Sequence, residues 1–460
     1  MANASSEPPN PRRRALVVSS YAWDWQRALT LEGALELKNQ GYEVHFLEIS
    51  DFNTKLIRKF FNWFTQKFIP RRKFREILRT NGILLHNPHF DLFMSNVMLK
   101  MISCLTLVCK NTHGIRWDVI YPGLVDLTGD VNVSIKNYKK LIHKIALEDY
   151  IYVKLLNRWY ATKETYNQVL IVNGRFPLNR ASALFFKEHG SMVNFIEYAA
   201  NREKFQIYLV SPHSVSNRRN IFEEFIENIT DTPSQVKEIG ENFFISRRSF
   251  DNQANIRWTR KMSPKEIPDL ISGKKICTFY PTSEKEFAGV RDFPLTDHFK
   301  DQFDALDSLI GNLGEVWQIF IRRHPNAKDN QNDVECELWE RYANKLNLKI
   351  LEPDSSIDSY ALGMCSDLVA HYSSFIGPEL IFSGHPNVIT LGPTAWEFLD
   401  PNRHLSNSQQ LRKYLSENNN QKSHVDLAVY GYFMATFGVQ FKVLAWDLSQ
   451  ERWILKGKSV

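Results

Sequence analysis

The sequence predicts an α/β chain made of two doubly wound parallel sheets that face each other across a cleft. Three observations carry that prediction. Apolar runs of strand length alternate with helical stretches from residue 15 to about 225. The same alternation resumes at 274 and runs to 392. Between them, residues 228–268 are polar and hold no sustained apolar period. Strands covered by helices on both faces read as unbroken Val/Ile/Leu runs, and strand–helix–strand order is the mark of parallel crossover units.

The elements follow in order. ALVVSS (15–20) is a buried strand ending in small residues, 25–39 is a helix stopped by Gly41, and YEVHFLEI (42–49) is the second strand. The loop after the first strand is SSYAWDW and not Gly-x-Gly-x-x-Gly, so the dinucleotide fingerprint is absent. Residues 53–80 mix Lys and Arg with Phe60, Phe61, Trp63, Phe64 and Phe68. Such a helix either packs its aromatic face on the core or lies on an anionic membrane or a large anionic acceptor. The apolar stretch 92–109 is interrupted by Ser, Asn and Lys100. It reads as a buried helix, because a membrane span wants about 20 clean apolar residues. WDVIYPGLVDL (117–127) reads as a strand, and a helical region follows to about 163. TYNQVLIVNGRF (165–176) is a buried strand running into Asn173-Gly174-Arg175. A helix over 177–189 leads to SMVNFIEY (191–198), a strand whose end carries Glu197.

The second unit opens with KKICTFYPTS (274–283) and a helix over 296–312. Strands 316–321, 348–353, 367–372 and 387–392 then alternate with helices 332–345, 357–364 and 378–384. The expected divisions are a disordered 1–13, a first domain 14–227, a connecting region 228–268 and a second domain 269–424. A closing segment, 425–460, is expected to be a long helix that caps the second domain or crosses back to the first.

Composition narrows the function classes. The chain has 460 residues, too many for one ordinary core, and 43% hydrophobic with 23% charged residues is a globular balance. A net charge of +6 is too small an excess to imply nucleic acid, and suits anionic small molecules or an anionic surface. The five Cys residues form no Cys-x-x-Cys pair, which fits a reducing cytoplasm. The polar start MANASSEPPNPRRR has no apolar core of a secretory signal. No His-x-x-x-His or Asp-x-Asp cluster is present, so no metal site and no cofactor are expected. The phosphate loop of nucleotide triphosphatases and the Gly-x-Ser-x-Gly elbow are missing too.

Ligands of open α/β sheets bind at the carboxyl ends of the strands. Four junctions of the second unit carry polar groups there: Thr282-Ser283, Arg322-Arg323-His324, Asp354-Ser355-Ser356 and Ser373-Ser374. Helix N-termini add free N–H groups that favour an anion. Together they read as a phosphate cradle in which His324 and Arg322 stabilise a negative leaving group. A lone His at a strand end is otherwise an ordinary hydrogen-bonding residue, and Ser373 and Ser374 could simply cap the next helix. Glu379 is either a partner of that helix dipole or an acceptor of ribose hydroxyls. On the first unit, Glu197 is the leading candidate for a general base, with Asp24 and then Asp126 behind it. Asn173, Gly174 and Arg175 lie on the same edge, where Arg175 holds an anionic substrate group or is a surface charge.

With these residues in view, Ile321 to Glu397 resembles bacterial capsule-polysaccharide glycosyltransferases of the GT-B architecture, two Rossmann-like domains facing across a cleft. The matching pieces are Ile-Arg-x-His-Pro-Asn (321–326), Ile-Asp-Ser-Tyr-Ala-Leu (357–362), Ser-Ser-x-x-Gly-x-Glu (373–379) and Gly-x-Pro (384–386). The His-Pro and Ser-Ser pairs are similar to those of Kdo- and sialic-acid-transferring enzymes. That resemblance implies that His324, Ser373 and Ser374 contact the phosphate of a cytidine monophosphate sugar. It places Gly377 in the same donor loop and Glu379 on the ribose. The family's acidic-acidic-Gly element, which holds the base, has only Glu197-Tyr198-Ala199 as a counterpart.

The expectation is a metal-independent glycosyltransferase that moves a sugar from a nucleotide donor, a CMP-sugar favoured, to a polysaccharide or glycolipid. It would act in the cytoplasm, at the inner face of the membrane. The rival readings are a sugar-nucleotide epimerase of the same architecture and a non-catalytic nucleotide-sugar-binding or assembly protein.

Overall fold

The computed structural model describes residues 13–21, 24–49, 71–86, 116–163, 165–200, 203–248, 273–289, 298–324, 334–343, 348–417, 426–447 and 452–456. The terminal 1–12, most of the basic aromatic segment 53–80 and the apolar stretch 92–109 lie outside them.

The first sheet is built from β1 (Arg14–Ser19), β2 (Glu43–Glu48), β3 (Leu84–His86), β4 (Gln168–Val172), β5 (Met192–Tyr198) and β6 (Lys204–Tyr208). The second contains β7 (Lys275–Tyr280), β8 (Trp317–Arg322), β9 (Leu348–Leu351), β10 (Leu368–His371) and β11 (Val388–Thr390). Near the carboxyl terminus come β12 (Val439–Gln440), β13 (Leu444–Asp447) and β14 (Arg452–Leu455). Sheet one runs β12-β6-β5-β4-β1-β2-β3 and sheet two runs β11-β10-β7-β8-β9. In both, the chain starts at the centre, winds outward one way, then returns and winds the other way. These are two Rossmann-like domains. Sheet two is parallel throughout, while β6 and β12 add an antiparallel edge to sheet one.

Burial explains the apolar runs. Ala15, Val17, Val44, Phe46, Leu170 and Val172 face one helical layer of sheet one. Their strand neighbours Leu16, Val18, Leu47, Val169 and Ile171 face the other. With both faces covered, period-two alternation disappears from the sequence.

Two expectations change. Residues 117–127 form a helix, Trp117–Thr128, and not a strand. Val119, Ile120, Gly123 and Leu124 are buried at helical spacing, and Ile120 and Leu124 pack on Ile142 and Ile145 of the helix Ile135–Tyr160. That packing outweighs the cost of Pro122 inside the helix. The closing segment is not one long helix. A helix over Ala428–Thr436 ends before Gly438 (φ 103°), and the chain then adds β12 to β6 of sheet one. Its helix packs with the second domain's aromatic core while β13 and β14 reach the first domain, where Trp453 stacks on Tyr198 at 5.7 Å.

The connecting region, where a domain boundary or connecting helices are expected, holds the helix Pro233–Arg248. It crosses Ala428–Thr436 so closely that a Cβ on Gly240 would overlap the Ala428 carbonyl, and one on Gly431 would overlap the Gly240 carbonyl. Backbone has nowhere to retreat. Gly240→Ala is therefore expected to cost about 1–3 kcal/mol in spite of alanine's better helix propensity. A thermal melt checks this, and an unchanged or raised melting temperature would show that the crossing gives way freely.

Candidate active site

Strand registers bring the predicted residues together. Phe279 pairs with Ile321 on β8, and Tyr280 pairs with His371 on β10. Carrying both registers past the strand ends sets Thr282 level with His324 on one side and Ser373 on the other. On sheet one, Val172 pairs with Ile196, so Asn173 and Glu197 stand side by side. The two carboxyl ends meet across a cavity of about 360 Å³, lined among others by Glu197, Thr282, Ser283, His324, Ser373 and Ser374. That volume falls within the range of small-molecule sites. It lies at the switch point between β7 and β10, where the winding reverses.

Two non-glycine residues among those described have a left-handed backbone, Asn173 (φ 33°) and Ser373 (φ 54°). Both flank this cleft. Such strain persists only where surroundings enforce it. Ser373 Oγ donates to the Pro393 carbonyl at 2.8 Å, and the Ser374 N–H donates to His371 Nδ1 at 3.2 Å. His371 is fully buried, and burial pushes it down to about 3. It is therefore neutral, with Nδ1 as acceptor and Nε2–H donating to Thr390 Oγ1 at 2.8 Å. A Cβ at Gly377 would overlap that imidazole. Gly377 thus lets the helix Ile376–Phe382 sit down on His371, and does not itself line the cavity.

On the opposite wall, Glu197 Oε2 accepts from Asn173 Nδ2 at 3.1 Å and Oε1 accepts from the Tyr198 N–H at 3.0 Å. Burial alone would raise this carboxyl. The His213 contact, the Tyr198 N–H and the Asn173 amide outweigh it and hold the group below its ordinary value. Glu197 is a carboxylate at neutral pH. His324 is held below the ordinary histidine value by burial, with Arg322 adding to the effect and Glu286 opposing it. In the absence of an anion it is neutral.

Other expectations meet a different placement. Arg322 is 3% exposed and turned away: it donates to the Glu352 and Ser355 carbonyls and to Ser359 Oγ, so its charge braces the loop after β9. Glu379 is 6% exposed and paired with Arg247, whose guanidinium lies 4.4 Å from the Phe375 ring centroid. That pair ties the helices Ile376–Phe382 and Pro233–Arg248 together, and neither a ribose contact nor a helix-dipole role is needed to account for it. Arg175 faces Asp126 at 3.9 Å and lies over Phe176. Burial raises the Asp126 carboxyl while Arg175 opposes the rise. Asp24 opens the helix Asp24–Asn39, but its side chain lies outside the described residues, as does Pro325.

The structure also adds residues that the sequence did not single out. Glu286 lines the cleft and faces His324, and Arg218 enters from the helix Val215–Glu227. Trp396, Tyr430 and Phe433 make an aromatic wall. Only the return of Ala428–Thr436 puts the last two there, so no local pattern signals them. Among the described residues there is no group of three His, Cys, Asp or Glu side chains set to hold a metal ion. No helix among them is long and apolar enough to cross a membrane.

No protein-family model matches the chain, and no curated protein does. Solved structures resemble it at low identity. Thermosulfurimonas dismutans KpsC, a beta Kdo 2,4 transferase, is 12% identical over 58% of this chain and 79% of its own, with a TM-score of 0.37. The Methanocaldococcus jannaschii UDP-GlcNAc 2-epimerase, solved with UDP-GlcNAc and UDP, is 11% identical over 93% of this chain and 100% of its own, with a TM-score of 0.32. WaaG, a glycosyltransferase involved in lipopolysaccharide biosynthesis, is 10% identical over 92% of this chain and 95% of its own, with a TM-score of 0.27. Scores this low carry no argument about activity, and the cleft itself must supply one.

Proposed function

We propose that the protein is a glycosyltransferase that takes a sugar from a nucleotide donor, with a CMP-sugar the favoured class, and passes it to a polysaccharide or glycolipid. One observation carries the reading: a carboxylate on one domain and an imidazole with paired hydroxyls on the other line the same cleft. The donor phosphate would lie against His324, Thr282, Ser283, Ser373 and Ser374. The base or sugar would pack on the aromatic wall. Glu197 would take the proton of the acceptor hydroxyl as its oxygen attacks the anomeric carbon. The bond to phosphate would break with its electron pair leaving on oxygen, and His324 would stabilise that charge.

We further propose that the reaction needs no metal and no cofactor, because the imidazole and hydroxyls supply the polar contacts a single phosphate needs. The acceptor and the work at the inner membrane face belong to the same proposal. A thermal-shift panel of CMP, CDP, UDP, GDP and their sugars tests it, since a ligand that binds only the folded form raises the melting temperature. The expected result is a rise with cytidine nucleotides that survives EDTA, and transfer activity that survives it too. A rise that EDTA abolishes would refute metal independence. Conversion of UDP-N-acetylglucosamine with no acceptor present would favour the epimerase reading. Tight nucleotide binding without product from any donor–acceptor pair would favour a binding protein.

A further inference from the structure

Beside Glu197, and not among the residues that line the cavity, stands a histidine that the proposed reaction does not use. His213 lies in the loop between β6 and the helix Val215–Glu227 and is 9% exposed. Its Nε2 is 3.5 Å from Glu197 Oε2, within ion-pair reach, and among the described residues Nδ1 has no hydrogen-bond partner. A buried imidazole that faces a carboxylate on one side and leaves its other nitrogen unmet calls for an explanation. The loop is built to place it. Ser214 caps the following helix by accepting from the Asn217 N–H at 3.1 Å, and Arg218 Nε donates to the Pro212 carbonyl at 2.7 Å. Ser211 Oγ donates to the carbonyl of Asn173 at 3.2 Å, the same residue whose amide holds Glu197. Pro212 and Val215 line the cavity.

Resting on the transferase reading, we propose that His213 is the positioning residue of the base and the final store of the acceptor proton, acting through Glu197. The acceptor hydroxyl gives its proton to Glu197, which passes it to Nε2 of His213. Glu197 is left as a carboxylate facing an imidazolium, and the oxygen that lost the proton has formed the glycosidic bond. Releasing the proton to solvent resets the pair.

The charged and titratable groups around His213 set its resting state. Burial keeps the imidazole below its ordinary value, with Arg175 after β4 and Arg218 of the helix reinforcing that and Glu197 on β5 opposing it. Tyr208 on β6 is pushed up to about 12 by burial and stays neutral. The resting pair is a carboxylate against a neutral imidazole, ready to accept one proton.

The test is His213→Gln alongside the wild type, read by transfer kinetics over a pH series, melting temperature and the CMP-induced thermal shift. The expected variant keeps its melting temperature, its CMP shift and the KM of the donor, and loses about 10–100-fold in kcat. Its acid limb shifts, because the rate no longer requires a neutral imidazole and Glu197 loses the contact that helps hold its carboxyl down. A kcat within twofold of wild type with an unchanged pH profile overturns the proposal. So does a loss of kcat that tracks a loss of the CMP shift, which marks a structural role. Absence of transfer by the wild type is a different result, and it overturns the transferase reading itself.

Discussion

Glu197→Gln is expected to lower sugar transfer by about 10²–10⁴-fold, the usual contribution of a positioned general base, while nucleotide binding survives. The side chain keeps its size, loses its charge and exchanges one acceptor oxygen for a donor NH2. Asn173 Nδ2 and the Tyr198 N–H hold the carboxylate. The amide oxygen can keep one of these two contacts, and the parallel pairing of β5 with β4 holds the edge in place. Kinetics with a saturating donor and acceptor, beside a thermal shift with CMP, separate the two effects. Glu286 gives the internal comparison, because it lines the same cleft on the other domain. If Glu286→Gln abolishes transfer and Glu197→Gln keeps more than a tenth of it, the base sits on the second domain and the assignment of Glu197 is wrong.

His324→Ala should cost about 10²–10³-fold in kcat, the typical effect of removing one stabiliser of developing charge. It also has a pH signature. In the empty cleft, burial keeps His324 below its ordinary value, so it is neutral near pH 7. A phosphodiester carries a fixed negative charge and favours the imidazolium. Binding must then draw a proton from solution. Donor affinity should rise as pH falls from 8 toward 6, by at most about tenfold per unit for one proton. Calorimetry in buffers of different ionisation enthalpy measures the proton directly. The alanine variant should show neither the uptake nor the slope. Uptake that persists in the variant would assign the proton to another group.

Neither substitution touches the frame of the site, and that frame explains how much could be read in advance. Alternating apolar runs and helices revealed two Rossmann-like domains, because a strand covered on both faces must be apolar throughout. The polar residues at the strand ends were equally legible. Strand registers then had little freedom, and Thr282, His324 and Ser373 came level. Arg322 and Glu379 were harder. Each sits in a motif that looks like a ligand set, yet each has a buried partner from a distant segment: the Glu352 and Ser355 carbonyls for one, Arg247 for the other. A charge taken out of water must be paired, and the sequence around it does not say with what.

What the sequence determined by itself was local: where strands and helices run, which ends carry hydroxyls, imidazole and carboxylate, and that two similar sheets exist. Only the tertiary structure decided that Trp117–Thr128 is a helix, that the closing helix returns to wall the cleft, and that His213 stands beside Glu197. The physical reason is common to all three. Periodicity records which face of an element is buried, whereas a partner brought from far along the chain leaves no periodic trace and is fixed by packing alone.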